Sequence, residues 1–236
     1  MSTSWAKNTL LVSAVAIFWF FGLMIVIAAL RPEYSHATKA VSELGALGAP
    51  YMLVWNVLGF AGTGLVLVGF ARAYRRLLGA EAVGSGALAA SGALFCLTAI
   101  PIAMGRDGDP DYSSRWTQAH LAAVLLSPLP WLYAASRIVA RFRGGRRSRL
   151  STVSALAVVL FIVATAASMG RVLPHAPGLL QRAAFLPYLG WYTAAAWVLL
   201  RGLRPGAFQK EPRGQTIAGS ESRGAQEEVR NRPGTA

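Results

Sequence analysis

The residues of this chain that can move protons or hold ions crowd into three short polar segments. All three histidines (His36, His120 and His175) lie in or beside them. So do five carboxylates: Glu33, Glu43, Asp107, Asp109 and Asp111. A carboxylate and an imidazole held together act as a general acid–base pair on a bound molecule. Glu43 stands apart, because its neighbours Val41, Leu44, Ala46 and Leu47 are apolar. A carboxylate there is either a general acid or cation ligand, or half of an ion pair with Arg171 or Arg182. Ser42 before it is placed to cap a short helix dipping towards a membrane. His120 opens an apolar segment close behind the acidic loop, so it either forms a catalytic pair, Asp107–His120 or Glu43–His120, or caps a loop carbonyl. No nucleophile elbow surrounds Ser42, so a hydrolase triad is not supported.

Ion binding is the second chemistry on offer. Asp107, Asp109 and Asp111 share the alternate spacing of the first three ligands of a calcium loop. Tyr112 then stands where that loop needs glycine, and Gln118 where it needs a bidentate glutamate. The three aspartates are weak ligands for a divalent cation, and a solvated acidic loop is the simpler reading. No other cofactor is expected. His175, with Arg171 and Arg182, is suited to a phosphate or carboxylate headgroup. The arginines equally suit an interface, with their stems in apolar surroundings and their heads in water.

These groups need a scaffold, and the rest of the sequence supplies one. Six apolar segments of about 20 residues each match a hydrocarbon core about 30 Å thick. They are Leu10–Leu30, Tyr51–Tyr74, Ala82–Met104, Ala119–Val139, Leu150–Gly170 and Ala184–Leu203. Only helices satisfy their own backbone over such lengths in lipid. The sequence therefore predicts an all-α, polytopic bundle of six transmembrane helices within residues 1–204. The first segment is too long for a signal peptide and is read as an uncleaved helix. Residues 205–236 have few apolar side chains and read as a disordered cytoplasmic tail. Small residues in the second and third segments (Gly59, Gly62, Gly64; Gly84, Gly86, Gly92) predict two closely packed inner helices. Trp5, Trp19, Tyr34, Tyr51, Trp55, Tyr74, Trp116 and Tyr188 read mostly as an interfacial aromatic belt and not as a binding box. Pro128 and Pro130 predict a kink in the fourth segment. Asn56, inside the second segment, should face the bundle interior, lining a cavity or bridging helices.

Charge sets the orientation. Lys7, the loops Arg72–Glu81 and Arg137–Arg149, and Arg201 with Arg204 carry eleven of the thirteen net positive charges. Cationic loops stay on the cytoplasmic side. Both termini are therefore expected in the cytoplasm, with the His- and carboxylate-bearing loops outside. Arg141, Arg143, Arg146, Arg147 and Arg149 are expected to meet anionic lipid headgroups, which makes nucleic acid a poor explanation of the net charge. The single cysteine, Cys96, excludes a disulfide within the chain.

Arg31-Pro, Ser42-Glu-Leu-Gly45, Asn56 and the glycine-rich second span resemble the domain-of-unknown-function 998 family of bacterial membrane proteins. The acidic stretch before His120 and Gly178-Leu-Leu-Gln-Arg182 fit the same pattern. The resemblance covers roughly residues 10–203. It implies a bundle of about six helices in a bacterial inner membrane. It marks Ser42, Glu43, Asn56, Asp107, His120, Gln181 and Arg182, and it implies no reaction. The family's Phe-Pro-x-Asp turn is replaced here by Ile100-Pro-Ile-Ala-Met-Gly-Arg-Asp107, so the resemblance does not choose among Asp107, Asp109 and Asp111. The functional expectation is an outward polar site that binds or processes a lipid or isoprenoid. Glu43, Asp107 and His120 would be its acid–base groups, and Ser42, Asn56, His175, Gln181 and Arg182 its binding groups. A non-catalytic scaffold and a small proton-coupled transporter are the alternatives. No charged residue lies near mid-membrane to serve the transporter.

Overall fold

A computed structural model describes residues 3–106, 108–145, 147–169 and 172–203. Asp107, Arg146, Arg171 and the predicted tail 205–236 lie outside the described residues. The helices form one unit, Met1–Arg201. No strand occurs among the described residues, apart from an isolated bridge between Met104 and Pro110.

The first apolar segment is a bent pair, α1 (Thr3–Ser13) and α2 (Ala16–Ala29), meeting at 40°. Thr9 Oγ1 donates to the Trp5 carbonyl and Ser13 Oγ to the Thr9 carbonyl. Such back-bonding bends helices. α3 runs over Met52–Glu81, with a π-helical stretch at Trp55–Ala61. α4 is Ser85–Leu97. α5 covers Arg115–Phe142 and passes through Ser127, just ahead of Pro128. There the Ser127 hydroxyl donates to the Val124 carbonyl, which has lost its usual donor to that proline. α6 is Ser148–Met169 and α7 is Pro177–Gly202.

Four of these helices (α3, α5, α6 and α7) are long and apolar enough to cross a membrane, and α1–α2 makes a fifth if the bent pair is one span. The predicted third span is the exception. α4 has only 13 residues, about 20 Å of helix. Pro101 is the reason, since the residue before a proline is pushed out of the α region. The chain from 98 to 104 is non-helical and rests on protein. Leu47 N–H donates to the Ile102 carbonyl, and Asp111 N–H to the Ala103 carbonyl. Ala103 N–H donates to Thr117 Oγ1.

The expected close packing of the second and third segments occurs where α3 crosses α4. A Cβ on Gly92 would lie 2.7 Å from the Val68 nitrogen, and one on Gly64 2.7 Å from the Gly92 carbonyl oxygen. α7 is bonded on several sides. Thr193 donates to the Ser13 carbonyl, and Trp191 Nε1 to Ser154 Oγ. Tyr188 Oη and Ser91 Oγ lie 2.7 Å apart. Trp55, Tyr74 and Tyr188 are fully buried with the core aromatics, contrary to their reading as belt residues, whereas Trp19, Tyr51 and Trp116 are about half exposed. Trp55 turns inward because Gly59 leaves room for its ring, 2.7 Å from where a Cβ would stand.

Two sets of loops result. Glu81 bridges Arg141 and Arg147, joining the α3–α4 and α5–α6 connections. At the other end, Gly178 N–H donates to the Ala37 carbonyl and Leu47 N–H to Ile102. Those bonds gather the α2–α3, α4–α5 and α6–α7 connections into one head.

Candidate functional site

The head is built around one 3-10 turn, Val41–Gly45, and all five of its residues are buried. Glu43 closes this turn itself. Its Oε1 accepts the Ala40 N–H at 2.8 Å, and its own N–H donates back to the Ala40 carbonyl at 3.1 Å. The cap is therefore Glu43, not Ser42, because Ser42 already lies inside the turn. Glu43 Oε2 faces Lys39 Nζ at 3.3 Å. Of the two predicted ion-pair partners, Arg182 is bonded elsewhere, and Arg171 lies outside the described residues.

Three further side chains fasten the turn to the bundle. Arg31 Nη1 donates to the Glu43 carbonyl at 2.9 Å. Gln181 Oε1 accepts Val41 N–H at 2.8 Å. Asn56 Nδ2 donates to the Gly45 carbonyl at 2.9 Å. Gly45 has to lack a side chain, since a Cβ there would sit 2.0 Å from Asn56 Oδ1. Arg182 is 6% exposed and donates to the carbonyls of Lys39 (3.1 Å) and Gly178 (2.6 Å) and to the Tyr34 hydroxyl. Gly178 also needs its bare Cα, as a Cβ would meet the Lys39 carbonyl oxygen at 2.5 Å.

Beside the turn opens a cleft of about 520 Å³, lined by Arg31, Glu33, Tyr34, Lys39, Glu43 and Met104 among others. Arg31 Nε pairs with Glu33 Oε1 at 2.7 Å, and this bond holds the Glu33 carboxyl below the usual carboxylate range. Burial pushes the Tyr34 phenol up to about 12, against the opposing pull of Arg182. His36 packs edge-on to the Tyr34 ring. Its pKa is lowered, first by burial and then by Arg182.

The predicted residues therefore divide. Ser42, Glu43, Asn56, Gln181 and Arg182 come together around one turn. His120 does not join them. It is 2% exposed, with Nδ1 2.8 Å from the Ile100 carbonyl oxygen and its ring edge-on to Phe60. Glu43 is paired with Lys39 instead, and Asp107 lies outside the described residues. His175 is exposed. Asp109 is exposed as well. Asp111 accepts the Ser113 hydroxyl and N–H, which lowers its pKa. Among the described residues, no group of three His, Cys, Asp or Glu converges on one point. Arg31, Tyr34 and Lys39 are the site residues that sequence reasoning missed. The i,i+4 spacing of Lys39 and Glu43 was a legible signal for one of them.

No curated protein and no solved structure matches the chain. The family described as protein of unknown function (DUF998) matches residues 14–198. The helices named above carry the match, and with most of the sequence inside it, this multi-pass membrane protein belongs to the DUF998 family.

Proposed function

We propose that this protein binds the polar headgroup of a lipid or isoprenoid amphiphile in the head cleft. The observation that carries the reading is a cleft of charged and hydroxyl groups at the end of an apolar bundle. Below the head, large apolar side chains face outward, Phe18, Leu53, Leu65 and Val163 among them. An amphiphile meets both surfaces at once, with its tail along the bundle and its headgroup in the cleft. Binding fits the residues better than conversion does. Both oxygens of Glu43 are engaged, and His120 is held on a backbone carbonyl away from the cleft. The charge pattern supports a cleft facing away from the cytoplasm with both termini cytoplasmic, and the family resemblance supports a bacterial inner membrane.

Native mass spectrometry of the purified chain with its co-purified lipids tests this. We expect one lipid class to be retained by the intact protein and lost in Lys39→Gln. Retained lipids that mirror the bulk membrane equally in both proteins would overturn the reading and favour a scaffold. Untargeted lipid profiling of cells carrying the intact gene or Glu43→Gln tests conversion separately. No change between those strains is the expected result.

A further inference from the structure

The head carries more positive than negative charge, and the excess is buried. Around Tyr34 stand three cations, Arg31, Lys39 and Arg182, and two carboxylates, Glu33 and Glu43. Each carboxylate is already matched, Glu33 by Arg31 and Glu43 by Lys39. Arg182 is the cation left over. Among the described residues its two terminal nitrogens donate to neutral oxygens only, and its buried Nε has no hydrogen-bond partner. Among the described residues it has no carboxylate partner. Buried charges are ordinarily paired, because an ion taken out of water loses its hydration and needs a counter-charge to replace it.

Tyr34 connects this charge to the cleft. The phenol lines the cleft, lies under the Arg182 guanidinium, accepts from Arg182 and donates to the Ala40 carbonyl at 3.0 Å. Burial first, and Arg182 second, lower the pKa of neighbouring His36. Lys39 is the adjustable member. Its side chain is 35% exposed and holds Glu43 at the long distance of 3.3 Å, so its ammonium can turn towards a guest.

We infer that the cleft takes an anionic phosphate group, met by Lys39 and balanced by the buried Arg182, whose guanidinium the Tyr34 phenol holds behind the cleft. This rests on the headgroup reading above and names the class of headgroup. A zwitterionic headgroup such as phosphocholine is neutral overall and leaves the excess charge uncancelled, whereas a headgroup whose phosphate is its only charge cancels it.

The test uses the full chain in phosphatidylcholine nanodiscs, with labelled phosphatidylglycerol or labelled phosphatidylcholine as probe and inorganic phosphate as competitor. Lys39→Gln and Tyr34→Phe alter the cleft, and neither removes the buried arginine on which folding depends. Arg141→Gln with Arg143→Gln controls for lipid held at the opposite end. We expect preferential retention of phosphatidylglycerol, about tenfold weaker in Lys39→Gln, weaker to a lesser degree in Tyr34→Phe, and unchanged in the control. Equal retention of both probes, still weakened by Lys39→Gln, would overturn the anion inference and leave the headgroup reading standing. Retention insensitive to both cleft variants would overturn both. Displacement of the probe by inorganic phosphate at matched concentration would support the phosphate chemistry and assign it to a soluble ligand, against the lipid reading.

Discussion

Glu43 and Gly45 are two residues apart and answer to different forces. The Glu43 carboxylate is the acceptor that closes its own turn. A glutamine keeps an acceptor oxygen at that place, and an alanine leaves the half-buried Ala40 N–H without it. We expect Glu43→Ala to cost about 1–2 kcal/mol and Glu43→Gln clearly less, read by thermal unfolding in detergent. Equal losses would show that the Lys39 ion pair, not the cap, holds the turn. Gly45 answers to space. Gly45→Ala drives a methyl into Asn56, and overpacking of this kind costs about 1–3 kcal/mol. Shortening Asn56 to alanine removes the obstacle but leaves the Gly45 carbonyl without its donor. The double variant should therefore lose less than the sum of the two single variants. Tyr34 gives a pH signature. Its pKa is raised in the fold, from 10.0 to about 12, so the unfolded chain loses that proton first. The neutral phenol then favours the fold fully below pH 10, and that contribution is lost as pH rises towards 12. Tyr34→Phe should flatten the alkaline stability profile across this window relative to the intact chain. The sequence marked Ser42-Glu-Leu-Gly and Asn56 as belonging together. It could not show why, because the fit of Gly45 against Asn56 exists only once two segments eleven residues apart are folded onto each other.

At the scale of elements, glycine has opposite meanings at two places in α4. Gly92 lies in the crossing with α3, and any Cβ there meets backbone. Gly86 has nothing within 4 Å of where its Cβ would stand. Gly92→Ala should separate α3 from α4 and lower the unfolding temperature. Gly86→Ala should be neutral or raise it, since alanine is the better helix former by up to about 1 kcal/mol. Matched thermal melts of the two variants check the crossing, and equal behaviour would contradict it. The small residues of these segments were legible as a packing signal, but their crossing register was not, since composition cannot say which glycine meets which. The bend at Ser13 and the early stop of α4 were written in the sequence through Thr9, Ser13 and Pro101. Apolar run length masked them, because hydropathy counts residues and does not follow backbone hydrogen bonds. The role of α7 was the least legible. Tyr188 looks like an interfacial aromatic in sequence, yet its hydroxyl, like the polar atoms of Trp191 and Tyr192, finds a partner in the bundle interior.

For the molecule as a whole, two independent arguments divide the loops in the same way. Backbone bonds gather the α2–α3, α4–α5 and α6–α7 connections at one end, and Glu81 ties the other two loops through Arg141 and Arg147. The grouping by charge is identical, and it adds a direction, because arginine-rich loops resist translocation. Cys96 is the only cysteine, so a Cys96→Ala chain offers a clean background for labelling. On that background we expect Thr38→Cys, Ser113→Cys and His175→Cys to react with a membrane-impermeant maleimide on intact cells. Ala80→Cys and Ser148→Cys should react only after permeabilisation. All five positions are exposed, so a silent position reports sidedness and not burial. The reverse pattern would keep the fold and turn the cleft towards the cytoplasm, where the proposed phosphate ligand would be drawn from the inner leaflet. A split within the first three would break the grouping of the head itself, and with it the cleft that the turn Val41–Gly45 supports.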